Sequence, residues 1–149
     1  MTDTIKNIAI GCDHAGFKTK ERIKQSLNEL GWFIQDFGTF SEDSMDYPDS
    51  AHPVAKEVQK GIYKFGILIC GSGNGMAMVA NKYIGIRAAI CWNETITLLA
   101  RKHNDANILT LPARFITQEE AVDFSILFVN TEFEGGRHVC RVEKIDKIM

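Results

Sequence analysis

Three short segments of the chain carry side chains suited to moving protons or holding an anion. They are Cys12-Asp13-His14, Cys70-Gly71-Ser72-Gly73-Asn74-Gly75 and His103-Asn104-Asp105. In the second, closely spaced glycines let the backbone curl tightly and turn several N–H groups toward one point. A helix opening from that turn adds the positive end of its dipole, which suits a phosphate or an enolate oxygen. The same turn also serves as a plain strand-to-helix connection, so the motif alone is a weak signal. It lacks the Gly-Lys-Ser/Thr ending of a Walker loop. It lacks G-x-G-x-x-G spacing as well, and no acidic residue closes the next strand, so dinucleotide binding is disfavoured.

Cys70 ends an apolar run at the mouth of the turn. A thiol there is either a small buried hydrophobe or, beside a helix N-terminus, a nucleophile or base. Cys12 has a similar strand-end position without the turn and reads as packing, as do Cys91 and Cys140. His14 and His103 each sit where an element meets a loop, beside an Asp or an Asn. Asp13 has two readings, a group at the cleft or a cap on the first helix. Arg137 and Arg141 are spaced i, i+4 and share a helix face, with His138 between them. They either solvate a surface or clamp a phosphate, whose geometry the planar guanidinium matches.

The elements that must position these groups alternate along the chain. Short apolar runs at Ile8–Ile10, Trp32–Asp36, Phe65–Cys70, Ile86–Ile90 and Ile108–Leu111 read as strands. Between them, apolar residues at helical spacing mark Gly16–Leu30, stopped by Gly31, then a stripe at Ala51, Val54, Val58 and Ile62. Further helices are expected at Met76–Asn81, at Asn93–Lys102 capped by Asn93, and after the capping box Thr117-Gln-Glu-Glu120. Val142, Ile145 and Ile148 predict a last amphipathic helix over about 137–149. This alternation implies one α/β domain over 1–149, a three-layer sandwich with a parallel sheet covered on both faces. Ligands bind such sheets beyond the carboxyl ends of the strands. All three reactive segments are expected at that one edge.

At 149 residues, 45% hydrophobic and 24% charged, the chain has an ordinary globular composition. A net charge of −2 argues against a nucleic-acid partner. No apolar run approaches the roughly 20 residues of a membrane span. Met1–Lys6 is polar, without the apolar core of a secretory signal. The four cysteines have no C-x-x-C spacing, which argues against structural zinc, and are expected as free thiols in the cytoplasm.

Taken in order, these residues resemble one family. Gly11-Cys12-Asp13-His14-Ala15-Gly16-Phe17, Asp46-Tyr47-Pro48, Ile69–Gly75, Ala80-Asn81-Lys82 and Gly85–Ala88 begin the match. Arg101–Asn107 and Glu134-Gly135-Gly136-Arg137-His138 complete it, over about Ile8–Ile145. The set is similar to ribose-5-phosphate isomerase type B, whose family includes allose- and galactose-6-phosphate isomerases. The resemblance implies a five-stranded Rossmann-type sheet and a cofactor-free, metal-independent aldose–ketose isomerase of the pentose phosphate pathway. It implies a homodimer or dimer of dimers with active sites shared between subunits, the C-terminal helix at the interface. By the same resemblance, Cys70 would be the base that forms an enediolate from a sugar phosphate. Gly71, Gly73, Asn74 and Gly75 would hold the oxyanion, and Ser72 would assist proton transfer. His103 would open the furanose ring, with Asp13 on the sugar hydroxyls and Tyr47 and Asn104 lining the substrate. His14, Arg114, Arg137 and Arg141 would bind phosphate. One branch of the family has a glutamate base where this chain has Met76, so the chain resembles the cysteine branch.

Overall fold

Five parallel strands form one sheet in the computed structural model, which describes residues 5–148. Residues 1–4 of the polar lead and residue 149 of the expected last helix lie outside the described residues. The strands are β1 (Asn7–Cys12), β2 (Phe33–Asp36), β3 (Phe65–Cys70), β4 (Ala88–Ile90) and β5 (Ile108–Pro112), in the order β2-β1-β3-β5-β4. The three inner strands are the continuous apolar runs, because both of their faces are covered. Alternation along them divides the core. Ile8, Ile10, Ile67, Ile69, Leu109 and Leu111 face one layer, and Ala9, Leu68 and Ile108 the other.

Helices α1 (Phe17–Glu29), α4 (Glu94–Lys102) and α5 (Gln118–Asn130) cover the first face, where Ile23, Leu27, Ala100 and Phe128 are buried. Helices α2 (Pro48–Gln59) and α3 (Asn74–Ala80) cover the second through Ala51, Val54, Val58, Met76 and Ala80. The expected three-layer α/β sandwich is therefore found. Its caps follow the sequence. Asn93 accepts from the Ile96 N–H (2.9 Å), and Thr117 and Glu120 form both bonds of their box at 3.0 Å. Gly31, at φ 87°, follows the end of α1.

The second helix, α2, ends at Gln59 and leaves Ile62 of its expected stripe outside it and half exposed, and two further elements differ from expectation. β4 begins at Ala88 and not at Ile86, because Asn81 reaches it from the end of α3. The Asn81 side chain accepts from the Ala88 N–H (2.8 Å) and donates to the Ala88 carbonyl (3.0 Å), taking the place of an outer strand. The C-terminal helix expected over 137–149 is only a 3-10 turn, Gly136–His138, and α6, Val139–Glu143. Beyond α6 the apolar stripe is only partly covered, with Ile145 51% and Ile148 97% exposed, and a helix that short has little stability of its own.

Under the carboxyl edge lies a buried cation. Lys20 of α1 is fully buried, and its ammonium donates to Asp36 (2.8 Å) and to the Thr39 carbonyl. Lys24 donates to the other Asp36 oxygen (2.9 Å), and the Gly38 N–H donates to Asp36 at 2.8 Å. This network fixes the turn after β2, which continues along β1 through Cys12 N–H to Gly38 carbonyl (2.6 Å) and Thr39 N–H to Cys12 carbonyl (2.8 Å). Burial alone would raise the Asp36 pKa, but hydrogen bonds from Lys20, Lys24 and Gly38 hold it below the ordinary carboxylate value.

Removing one partner of a buried pair leaves the other charge uncompensated. Asp36→Ala should therefore cost about 3–5 kcal/mol in denaturant unfolding. Asp36 is ionised more readily folded than unfolded, so its contribution is full above about pH 4 and falls as pH drops through the folded pKa. The variant should accordingly lose the part of the acid-unfolding slope that Asp36 supplies. A cost below about 1 kcal/mol would contradict this account.

Candidate active site

β1 and β3 lie side by side, yet their following connections leave in opposite directions, α1 toward β2 and α3 toward β5 and β4. That reversal opens a crevice at the carboxyl edge. Two contacts hold its walls together. The Asp13 N–H donates to the Ile69 carbonyl at 3.0 Å, and Gly16 lies so close to Ile69 that a Cβ would meet it at 2.7 Å. Only glycine permits this approach at position 16.

The crevice gathers a first group of the expected residues. Cys70, buried at the end of β3, accepts a hydrogen bond on Sγ from the Gly73 N–H (3.2 Å). Ser72 is exposed, and its Oγ accepts from the Asn74 N–H at 3.2 Å, so its own O–H is free to donate elsewhere. The first helical bond of α3 runs from Ala77 N–H to the Gly73 carbonyl (3.2 Å), so earlier amides of the turn precede the helical ladder. Tyr47 packs against Gly75, where a Cβ would lie 2.6 Å from its ring. The Arg114 side chain lies over Gly71, and the Arg114 backbone N–H donates to the Gly71 carbonyl (3.1 Å). Met76 is fully buried in the core.

Asp13 and His14 enter on the other wall. Asp13 is buried, and its Oδ1 accepts from Ala15 N–H (2.9 Å) and Gly16 N–H (3.2 Å), so the capping reading holds. His14 accepts on Nδ1 from the Met45 N–H at 3.3 Å, linking it to the loop that carries Tyr47.

The third segment is not at this edge, contrary to the expectation that all three would meet there. A helix packed on a parallel sheet runs back against the strands, so α4 ends at the amino edge, just before β5 starts. β5 alone spans about 16 Å at roughly 3.3 Å per residue. His103 and Asn104 therefore lie on the opposite side of the sheet from Cys70, and Arg137 and Arg141 follow α5 to the same far edge.

At that far edge most of the Arg101–Asn107 motif is structural. Arg101 is buried and bonds Asp105 (2.9 Å), the Thr131 carbonyl (2.9 Å) and the Ala106 carbonyl (2.6 Å). Arg87 donates to the Asp105 carbonyl (2.8 Å), and Asn107 accepts from the Arg87 N–H (2.8 Å). His103 and Asn104 are left facing outward. His103 stacks on His138, ring centroids 4.2 Å apart and planes 16° from parallel. Arg137 and Arg141 are exposed beside it, whereas His138 is buried. The Glu134 backbone is tied to α4 by its N–H to the Lys102 carbonyl (3.1 Å), and Glu134 Oε1 lies 3.9 Å from His138 Nε2. Glu134 escaped the sequence reading and His138 received no definite role there. The only signal was their place in the Glu134-Gly135-Gly136-Arg137-His138 run.

All four cysteines are free. Burial pushes the Cys12 thiol up to about 11 against the opposing pull of Lys20, and burial does the same to Cys91. Both are packing residues, as their positions implied. No described helix is long and apolar enough to cross a membrane.

A parallel sheet with a thiol, an amide-rich turn and basic groups at its reversal defines an α/β enzyme built for a small anionic substrate. The chain belongs to the Ribose/Galactose Isomerase family, whose profile matches residues 8–145, and is thus an enzyme of the isomerase class. It is 43% identical to ribose-5-phosphate isomerase B of Escherichia coli strain K12 over 144 residues, 97% of each chain. The crystal structure of a ribose 5-phosphate isomerase from Thermotoga maritima superposes with a TM-score of 0.94 at 47% identity, covering 97% of this chain and all of that one. Ribose-5-phosphate isomerase B from Mycoplasma genitalium, solved with bound ribulose-5-phosphate, superposes at 0.91 with 41% identity over 95% of this chain and 94% of that one.

A thiol of pKa about 11 is ionised in only about one molecule in a thousand near pH 8. Iodoacetamide should accordingly leave Cys12 and Cys91 unlabelled in the native protein and label both after unfolding, as read by peptide mass spectrometry. Native labelling of Cys12 would contradict its assignment as core.

Proposed function

We propose that the chain interconverts ribose 5-phosphate and ribulose 5-phosphate at active sites shared between two copies. The observation that carries this reading is the division of the family's site residues between two edges of one sheet. Asp13, His14, Tyr47, Cys70–Gly75 and Arg114 stand at the carboxyl edge, and His103, Asn104, Arg137 and Arg141 at the amino edge. About 16 Å of sheet lies between them, too far for one small sugar phosphate to span through a covered core. A second copy that sets its amino edge against the first copy's crevice completes both sites by symmetry. The amino edge has the surface for it. A cavity of about 420 Å³ there is lined by Tyr83, Ile86, Asn104, Ile145 and Ile148, with Ile84 and Ile148 73% and 97% exposed.

In such a site the phosphate is gripped by His14 and Arg114 of one copy and Arg137 and Arg141 of the other. His103 of the second copy moves the proton that opens the furanose ring. Cys70 as thiolate takes the proton from C2 and returns it to C1. The negative charge that develops on oxygen meets the amides of the Gly71–Gly75 turn, which are fixed before the reaction begins. Ser72 carries the proton between the two oxygens, and Asp13 orients the hydroxyls. Phosphate binding at the far end holds the reacting carbons in place. Free thiols suit a reducing cytosol, and no step calls for a cofactor.

The metal-stripped protein should turn over ribose 5-phosphate faster than allose 6-phosphate, and Cys70→Ala should abolish turnover while retaining phosphosugar binding. Substantial residual activity in that variant would remove Cys70 as the base. Sharing has its own test. Cys70→Ala and His103→Gln chains, each inactive, should regain about a quarter of wild-type activity when refolded together, because half the dimers carry one intact site of two. No recovery in verified mixed dimers would mean that the sites are not shared.

A further inference from the structure

The stacked histidine pair holds a feature the isomerisation does not call for. His138 is 5% exposed, and its Nε2 is buried with no hydrogen-bond partner among the described residues. A buried unpaired ring nitrogen is costly unless something occupies its lone pair or its proton. Three donor groups lie close together there. One ligand atom each from His103, Glu134 and His138 lies within 4.8 Å of the others. The local backbone explains why. Gly135 and Gly136 take φ of 72° and 56° and turn the chain back, so that Glu134 and His138 come side by side against the end of α4.

We propose that His103, Glu134 and His138 form a binding site for a borderline transition-metal ion of the Zn²⁺ type. Two imidazoles and a carboxylate, with a fourth position left to water, is a donor set that Zn²⁺ takes at about 2.0–2.2 Å. Tetrahedral bonds of that length place donors about 3.3 Å apart, so the group must contract by about 1.5 Å. The two rings stack 16° from parallel, so their in-plane lone pairs do not meet as they stand; His103, half-buried, must turn out of the stack while Glu134, with a side chain 57% exposed, closes in. Mg²⁺ and Ca²⁺, which favour all-oxygen shells, are excluded by the two nitrogens.

The consequence for activity rests on the reading of His103 as the ring-opening group. A metal on its ring takes the lone pair that accepts the proton, so the ion inhibits the isomerase. Binding itself does not rest on that reading, and the two are measured apart.

Titration of the metal-stripped protein with Zn²⁺ against a chromophoric chelator should give one site per chain. Glu134→Gln and His138→Gln should each weaken it at least about tenfold. Co²⁺ in its place should show no thiolate charge-transfer band. Affinity unchanged in both variants, or a thiolate band that locates the ion on a cysteine, would overturn the site. In turnover assays Zn²⁺ should inhibit the wild type and chelator should reverse it, while Glu134→Gln keeps its activity and resists inhibition. Inhibition of that variant equal to wild type would overturn the regulatory consequence. Zn²⁺ binding by a protein that turns over no sugar phosphate would leave the site standing and remove the proposed function instead.

Discussion

The pairing of β1 with β3 is the constraint on which the carboxyl edge depends. Their backbones run in register from Ile8 against Phe65 to Cys12 against Ile69, and the ladder extends one bond further through Asp13. Because the two following helices leave on opposite faces, each strand end is open to the crevice instead of being buried by its neighbour's connection. Gly16 draws the first wall against Ile69, and the Lys20–Asp36 network fixes the loop that returns Tyr47 over Gly75. The thiol is thus placed by inner-strand packing, the most rigid part of the fold, and its surroundings by a buried charge.

The opposite edge is built by different physics. Arg101, Arg87, Asp105 and Asn107 form a hydrogen-bonded knot that joins the ends of α4, β4 and β5. Asp105 accepts a positive φ of 48° within it. What the knot leaves outward is a small group of polar side chains on a surface with exposed isoleucines. The carboxyl edge presents the amide-rich turn, and the amino edge presents the exposed Arg137 and Arg141.

The sequence was most informative where one interaction decides the structure. Continuous apolar runs identified β1, β3 and β5, and Asn93 and the Thr117–Glu120 box marked helix starts that were found as expected. It misled where the outcome depends on three dimensions. The motif around His103 was read as part of the carboxyl edge because it borders a strand, yet it borders the start of that strand and not its end. β4 was drawn too long because a side chain, Asn81, substitutes for backbone pairing and leaves no mark in periodicity. The apolar spacing of Val142, Ile145 and Ile148 is genuine, but among the described residues it is left mostly exposed at Ile145 and Ile148. Glu134 has no periodic or compositional signature, since its role comes from a turn that faces it to His138.

The Asn81 clamp has a consequence for how the molecule meets its neighbours. Edge strands offer unpaired amides and carbonyls to any extended chain, whatever its sequence. At Ala88 both outward groups are already held by one carboxamide. A foreign strand approaching this flank would have to displace a bond of matching geometry before gaining one of its own. At that residue contacts must then be written in side chains, which distinguish one partner from another, and the generic language of the backbone is withheld.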